Sequence, residues 1–426
     1  MGLVTRTFTY SAGAVIVASQ HNTNETTLYN LVNGNLDTNN LSPSAALVDT
    51  QLAQLTTASK VSGAALTSLA SIPSGAGVIP AANLPGSGGS SNLLINGGPD
   101  VWQRGTSFES TTTPANSDDT YLADRWTLLS DGNDIVDVTR QVSANGTGSS
   151  YKIRLDVETG NKKFGIIQFV EAATAAQVIG GTVSLAFRHR VVGGTTIGNI
   201  RAGILSWDST ADSVTSDVVS AWNAAGSDPT LVANWTFENT PASISTSTSW
   251  AQATITNISI DTASTANIAV FIWSDDVTTT VGEFLELEQI SLVPGATAST
   301  TYPARSFSDE LRLCQRYYWK SFAYGTAPAQ SAGNTGVLWY RCPVDGAVSS
   351  SYTIIFPGRM FKIPTMTYYN PNAANALWRN ITDTADSGTA SDGLITDWCA
   401  GISNGQAAGD ASGDALRLHA QAEAEM

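Results

Sequence analysis

The sequence predicts an all-β protein, and three observations carry that expectation. First, charged residues make up only 13% of the chain, against about 25% in an ordinary soluble domain. Ser, Thr, Asn and Gly fill the polar positions instead. Thr and Val favour strands, whereas helices favour Glu, Lys, Arg and Leu. Second, residues 92–305 hold a series of alternating runs: SSYKIRLDVE, FGIIQFVE, GTVSLAFRHRVV, NIRAGILSWD, SWAQATITNISI, ANIAVFIWS and EFLELEQISLV. Each reads as a strand bounded by Gly, Asn, Asp or Thr, and such a series argues for a β-sandwich or jelly roll. Third, residues 58–85 are built from Ala, Ser, Gly, Leu, Val, Ile and Pro, with Lys60 their single charge. One copy of such a segment cannot bury its own apolar face, while several wound together can.

The elements follow in order. In residues 1–57, Val4, Arg6, Phe8 and Tyr10 alternate with Thr5, Thr7 and Thr9 as in a short strand. A turn at Ala12-Gly13 and a second apolar strand follow. Residues 21–32 read as a helix, with Asn22 or Thr23 as N-cap, Leu28, Leu31 and Val32 on one face and Gly34 as the stop. In residues 43–57, Leu47, Leu52 and Leu55 suggest another short helix. Its apolar face would point at a threefold axis in a trimer, or at the N-terminal unit in a monomer. Residues 58–91 read as a thin shaft and hinge: 28 residues from 58 to 85, reaching roughly 90–100 Å if extended, then GSGGSS at 86–91. Residues 306–426 read as a small β-domain. It opens with an amphipathic helix over 307–320, Ser308 its N-cap, Asp309 and Glu310 near the positive dipole end, and Leu311, Cys314, Tyr317 and Tyr318 on one face. Strands in VLWYRCPV, SYTIIFPGRM and TMTYYN follow, and the chain ends in a mobile acidic tail.

Several of these stretches resemble bacteriophage fibre proteins. Asn92-Leu93-Leu94-Ile95-Asn96-Gly97, Trp102-Gln103-Arg104-Gly105 and Tyr121-Leu122-Ala123-Asp124-Arg125-Trp126 look like the opening of a domain common in phage tail fibres. Glu286-Leu287-Glu288-Gln289-Ile290-Ser291-Leu292-Val293-Pro294-Gly295 is similar to the last strand of galactose-binding-like carbohydrate-binding modules. Leu313-Cys314-Gln315-Arg316-Tyr317-Tyr318 resembles a helix that follows the jelly-roll domain in phage fibres, and residues 58–85 resemble their shafts. The resemblance implies a homotrimeric fibre in four parts: a virion-anchoring segment (1–57), a shaft and hinge (58–91), a jelly-roll domain like a carbohydrate-binding module (92–305) and a distal receptor-binding domain (306–426). It further implies assembly in a host cytoplasm and residence in the virion. A tail or capsid protein would be held through the N-terminus, and a host glycan or protein at the far end.

Other classes are disfavoured. The net charge is −15, and no Lys/Arg cluster is interleaved with aromatics, so nucleic acid is not an expected partner. No run of 18 apolar residues suggests membrane insertion. Polar residues Thr5, Arg6, Thr7 and Thr9 make the N-terminus a poor secretory signal. Cys314, Cys342 and Cys399 are odd in number and fit no zinc spacing, which reads as reduced thiols.

Chemistry-bearing residues are sparse. Of His21, His189 and His419, none reads as part of a triad; His189, between Arg188 and Arg190, reads as a surface residue and His419 as part of the frayed tail. Carboxylates are plentiful, but no long repeat suggests a capsule depolymerase, and no catalytic residue is assigned. Asn116-Ser117-Asp118-Asp119 and Asp131-Gly132-Asn133-Asp134 are oxygen-rich turns able to hold a structural Ca²⁺, without an EF-hand pattern; no other cofactor is expected. Trp102 and Trp126 read as core, and Arg104 and Arg125 as structural partners of Asp124. The candidate ligand-binding rings are Trp222 and Trp235 in the loop-rich stretch 208–248, and Tyr340, Tyr368, Tyr369, Trp378 and Trp398 in the last unit. Rigid aromatic rings of this kind stack on sugars or anchor a receptor. The function this predicts is a non-enzymatic adhesin that attaches a virion to a cell surface by multivalent glycan binding. The alternatives are a head fibre or decoration protein on the capsid and, less favoured, a depolymerase.

Overall fold

The computed structural model describes residues 7–32, 92–143, 148–276, 278–299, 301–346 and 349–426. The chain divides into two compact units, Met1–Ser87 and Gly88–Met426. The proposed shaft and the helix expected in residues 43–57 lie outside the described residues.

In the first unit the helix runs Ala18–Val32, three residues longer at its start than the sequence suggests. The strands expected around it do not form in residues 7–17. Asn24 replaces a strand partner there: its amide accepts from the Phe8 N–H (3.1 Å) and donates to the Phe8 carbonyl (3.0 Å).

The second unit contains a β-sandwich. One sheet orders its strands Ser107–Phe108, Val136–Val142, Tyr151–Val157, Phe284–Pro294, Thr182–Val192 and Ala251–Ser259, all antiparallel. The other runs Trp235–Phe237, Asn199–Trp207, Asn267–Ser274, Phe164–Val170, Thr127–Ser130 and Thr120–Tyr121, with Ile244–Ser245 added beside Asn199–Trp207. Alternation makes the core: Leu185, Phe187 and Val191 face Ile200, Ala202 and Ile204 with Val270 and Ile272.

The second sheet is apolar on both faces. Asn267–Ser274, NIAVFIWS, is buried at every position, the pattern of a strand covered on two sides. Its outer face holds Ile167, Phe169, Leu205, Phe271 and Trp273, extended at the edge by Trp235, and is covered by Val218 and Trp222 and by Met426. The sandwich is thus closed on this side, and the outer face of the first sheet is its polar one.

Residues 306–426 build a third sheet around Ala415–Glu423. This strand pairs with Leu338–Arg341 and Leu377–Asn380 along its first half, and with Tyr318–Lys320 and Thr365–Tyr369 along its second. Four partners on one strand give a branched sheet, and its core holds Leu416, Leu418, Ala420, Ala422 and Trp378. The expected frayed tail is therefore the central strand. His419 is fully buried, stacked on Phe322 at 3.9 Å, with Nδ1 3.0 Å from the Ser321 hydroxyl and Nε2 3.0 Å from the Gly333 carbonyl. That pairing sets the neutral tautomer with the proton on Nε2.

The purely all-β trimeric fibre is corrected. The described residues include three helices, Ala18–Val32, Ala172–Ala175 and Phe307–Gln315, and the class is mixed α/β. A bulk composition poor in helix formers hid segments whose helicity is local. Phe307–Gln315 is set by its cap, which is Ser306 rather than Ser308: the Ser306 hydroxyl accepts from the Asp309 N–H at 3.2 Å. The helix stops at Gln315 because Tyr318–Lys320 is taken into the sheet. No helix among the described residues is long and apolar enough to cross a membrane.

The motif residues join the sandwich to the C-terminal sheet. The Asn96 amide donates to the carbonyls of Val101 and Asp124, both at 2.9 Å, while the Trp126 indole donates to the Asn96 carbonyl at 2.9 Å. Trp102 and Trp126 are core. The Gln103 amide bridges Asp124 (3.1 Å) and the Tyr318 carbonyl (2.9 Å). Gly97 is required by contact, since a side chain there would overlap the Ile290 carbonyl. Arg104 and Arg125 converge on Glu425. Arg104 lies 3.2 Å from it and 3.0 Å from Glu423, and Arg125 pairs with it directly while donating to the Phe169 carbonyl at 2.8 Å. Asp124 stands 3.7 Å from Arg104.

Removing one member of this buried set strands the others. Glu425→Ala is expected to cost about 3–5 kcal/mol, read as a lower urea midpoint, and a variant matching the wild type would contradict the clamp. Burial lowers the His419 pKa against its Gly333 hydrogen bond. The imidazole should therefore titrate below 6.5 by NMR. Its contribution to stability is complete above 6.5 and is lost as pH falls through the folded value.

Candidate functional site: a cleft on the polar face of the sandwich

Register and alternation place the polar face. On Thr182–Val192 the residues Val183, Leu185, Phe187, His189 and Val191 turn inward, so Ala186, Arg188 and Arg190 turn outward. His189, expected at the surface, is buried beside Phe187, and its pKa is lowered by burial. Across the strands, Arg188 stands opposite Gln252 and Glu288, and Arg190 opposite Glu286, which itself opposes Arg154.

Two carboxylates lie in the floor of this face, both with fully buried side chains. Glu286 receives Lys152 (2.9 Å), Arg154 (2.6 Å) and Arg190 (2.6 Å). Burial pushes its pKa up, but these hydrogen bonds outweigh it and hold the carboxyl below its usual range. Glu288 receives Arg188 at 3.1 Å and the Ser143 hydroxyl at 2.8 Å. Trp250, just ahead of Ala251–Ser259, lies against these cations, with Arg190, Arg188 and Lys152 at 4.9, 5.3 and 5.4 Å from its ring centroid. Its indole N–H is buried without an acceptor among the described residues.

A cleft of about 460 Å³ opens over this floor, lined by Arg188, Trp250, Gln252, Gln289, Ser291, Ser299, Thr301 and Tyr302 with Gly148 and Ala186. Gln289 is carried by a bulge between Glu288 and Ser291, with φ 56°, which re-aims one residue of the strand. Burial raises the Tyr302 pKa, and Glu310 adds to it, so the phenol stays neutral. An indole face, two amides, hydroxyls and one guanidinium can bind a molecule with an apolar face and a polar rim.

The seven rings named from sequence are placed elsewhere. Trp235, 3% exposed, extends the outer face of the second sheet, and Trp222, half-buried against Phe271, covers it. Trp378 is fully buried, packed with Tyr340 and Tyr352. Tyr368 is buried and donates to Asp392 at 2.5 Å. Tyr369 lines a second cleft of about 300 Å³ with Arg104, Tyr121 and Tyr318. Trp398 is 50% exposed. Sequence reading missed Trp250, Arg188, Gln252 and Gln289. The signal was present in SWAQAT, where the strand is polar on alternate positions from Trp250 onward.

The oxygen-rich turns satisfy themselves: Asn116 donates to Asp134 (3.0 Å) and Asp137 (2.9 Å), and Asp118 accepts from the Ser130 N–H at 2.7 Å. A group able to hold a cation such as Ca²⁺ lies elsewhere. Oxygens of Asp383, Asp410 and Asp414 come within 4.8 Å of one another, gathered around the Asn380 amide at 3.1, 2.9 and 2.9 Å.

No protein-family model matches the chain, and no curated protein matches it in sequence. Solved structures are similar to part of it. TmCBM61, solved in complex with β-1,4-galactotriose, is 12% identical with a TM-score of 0.27, over 48% of this chain and 98% of that one. A CBM4 module is 14% identical with a TM-score of 0.27, over 47% and 97%. The enzymatically active domain of bacteriophage CBA120 tailspike protein 4 is 14% identical with a TM-score of 0.29, over 48% of this chain and 21% of that one.

Glu286→Gln should lower stability at pH 7 by roughly 1.5–3 kcal/mol. Because the folded pKa is depressed, the wild-type advantage holds above the ordinary value of 4.5 and fades as pH falls through the folded value. Melting curves of the two proteins should converge in acid; a constant gap would contradict the charge assignment.

Proposed function

We propose that the Gly88–Met426 unit binds glycan in the cleft over Trp250. The single observation that supports this most is the composition of the cleft on the sandwich's polar face. The C–H face of a pyranose packs on an aromatic ring, and its hydroxyls need amides and hydroxyls at the rim. Trp250, Gln252, Gln289, Ser291 and Tyr302 supply both. We propose further that the chain is a virion adhesin, held to a phage particle through residues 1–57 and attaching it to host-surface glycan without catalysis. The motif residues Asn92–Gly97, Trp102–Gly105 and Tyr121–Trp126 support that finer reading through their resemblance to phage proteins.

Immobilised host polysaccharide should retain the full chain. Trp250→Ala should weaken binding by about tenfold or more, the loss of a stacked ring at a hot spot. Trp398→Ala, on the C-terminal sheet, should leave it unchanged. The reverse pattern would move the site to Trp398.

A further inference from the structure

The charge at the cleft names a class of sugar, and this step rests on the glycan reading above. Arg188 is the one charged side chain among the described residues lining the cleft, and its side chain is 23% exposed. The floor beneath it is not neutral. Four cations, Lys152, Arg154, Arg188 and Arg190, face two carboxylates, Glu286 and Glu288, leaving an excess of two positive charges. Asp137 and Asp156 stand opposite each other on Val136–Val142 and Tyr151–Val157, two positions beyond Arg154 and away from the cleft lining; at the rim, Tyr302 feels Glu310 and Asp100 with Arg305 beside them, so the excess belongs to the floor. Such an excess is unusual on a chain of net charge −15.

Placement matters as much as sign. Arg188 lies between Gln252 and Glu288 in one cross-strand row, and Trp250 flanks it at 5.3 Å. Glu288 engages Nη1, and a guanidinium carries five N–H donors in a planar fork that matches a carboxylate. A sugar ring on Trp250 would hold an exocyclic carboxylate beside that fork. We infer that the cleft selects acidic glycans, with Arg188 pairing with the carboxylate of a uronic acid residue stacked on Trp250.

The test uses the full chain and three uronate polysaccharides, polygalacturonate, alginate and hyaluronan, each beside its carboxyl-reduced neutral form, with neutral galactan and xylan as further probes. Binding is measured by calorimetry. The expected result is binding to an acidic polymer that weakens about 10- to 100-fold on carboxyl reduction, the range of a charge-assisted hydrogen bond, and with added salt. Arg188→Met combined with Glu288→Gln removes both charges together, so that neither is left buried alone, and should abolish the preference. Arg188→Lys, which keeps the charge opposite Glu288, should lose most of it. Melting temperatures establish that each variant is folded. Equal binding of the reduced forms, or binding only to neutral galactan or xylan, overturns this inference and leaves the glycan reading in place. An acidic preference that survives in both folded variants also overturns it. Binding to none of the probes overturns both.

Discussion

The second unit depends on one carboxylate, that of its penultimate residue. Glu425 is buried between Arg104 and Arg125, and each guanidinium sits over a tyrosine ring, Arg104 over Tyr318 at 3.9 Å and Arg125 over Tyr317 at 3.6 Å from the centroid. Buried ion pairs contribute little net stability when complete, because desolvation offsets attraction. They are costly when broken, so they act as conditions. The two arginines come from the opening of the sandwich, the tyrosines follow the helix Phe307–Gln315, and the carboxylate lies two residues beyond the central strand of the C-terminal sheet. All three segments must arrive together for any of these charges to be tolerable.

That condition also decides which surface stays open. With Glu425 docked, Met426 reaches the apolar outer face of the second sheet and joins Val218 and Trp222 in covering it. A contiguous apolar sheet face left open would be a site of association, and residues of the stretch 208–248 together with Met426 hide it. The first sheet has no such need. Its outer face is filled by charged and amide side chains, and there the cleft lies.

The sequence made parts of this legible and concealed others. Strand positions follow from alternation, whereas the burial of Trp102 and Trp126, neither of which lies on a strand, was legible only through the motifs that resemble phage fibre proteins. The same alternation was decisive at Arg188-His189-Arg190, where charge on both sides made the histidine look exposed although strand period places it inside. Trp222 and Trp235 were read by their loop, but NIAVFIWS had no polar alternate positions and so required a second cover. ALRLHAQAE shows an apolar face at Leu416, Leu418, Ala420 and Ala422; Asp414 before it and Glu423 and Glu425 at its far end disguised a central strand. Glu425 could not be read at all, since its partner Arg125 is 300 positions away and pairing at that distance leaves no local trace.

The same charge distribution shapes how a ligand would arrive. The overall charge of −15 repels a polyanionic glycan at long range, while the excess of two positive charges in the floor beneath the cleft acts only within roughly a Debye length, about 8 Å at physiological salt. Long-range fields govern association rates, whereas close, partly buried pairs govern dissociation. A uronate reaching Arg188 would therefore gain its selectivity after contact, in a slower departure rather than a faster approach. On the proposed virion, many such sites would tolerate slow individual encounters, because one engaged site raises the effective concentration of the next. The acidic surface and a cationic floor are in this sense compatible with the proposed function: the first would limit indiscriminate adhesion to polyanions, and the second would retain a glycan that fits the cleft.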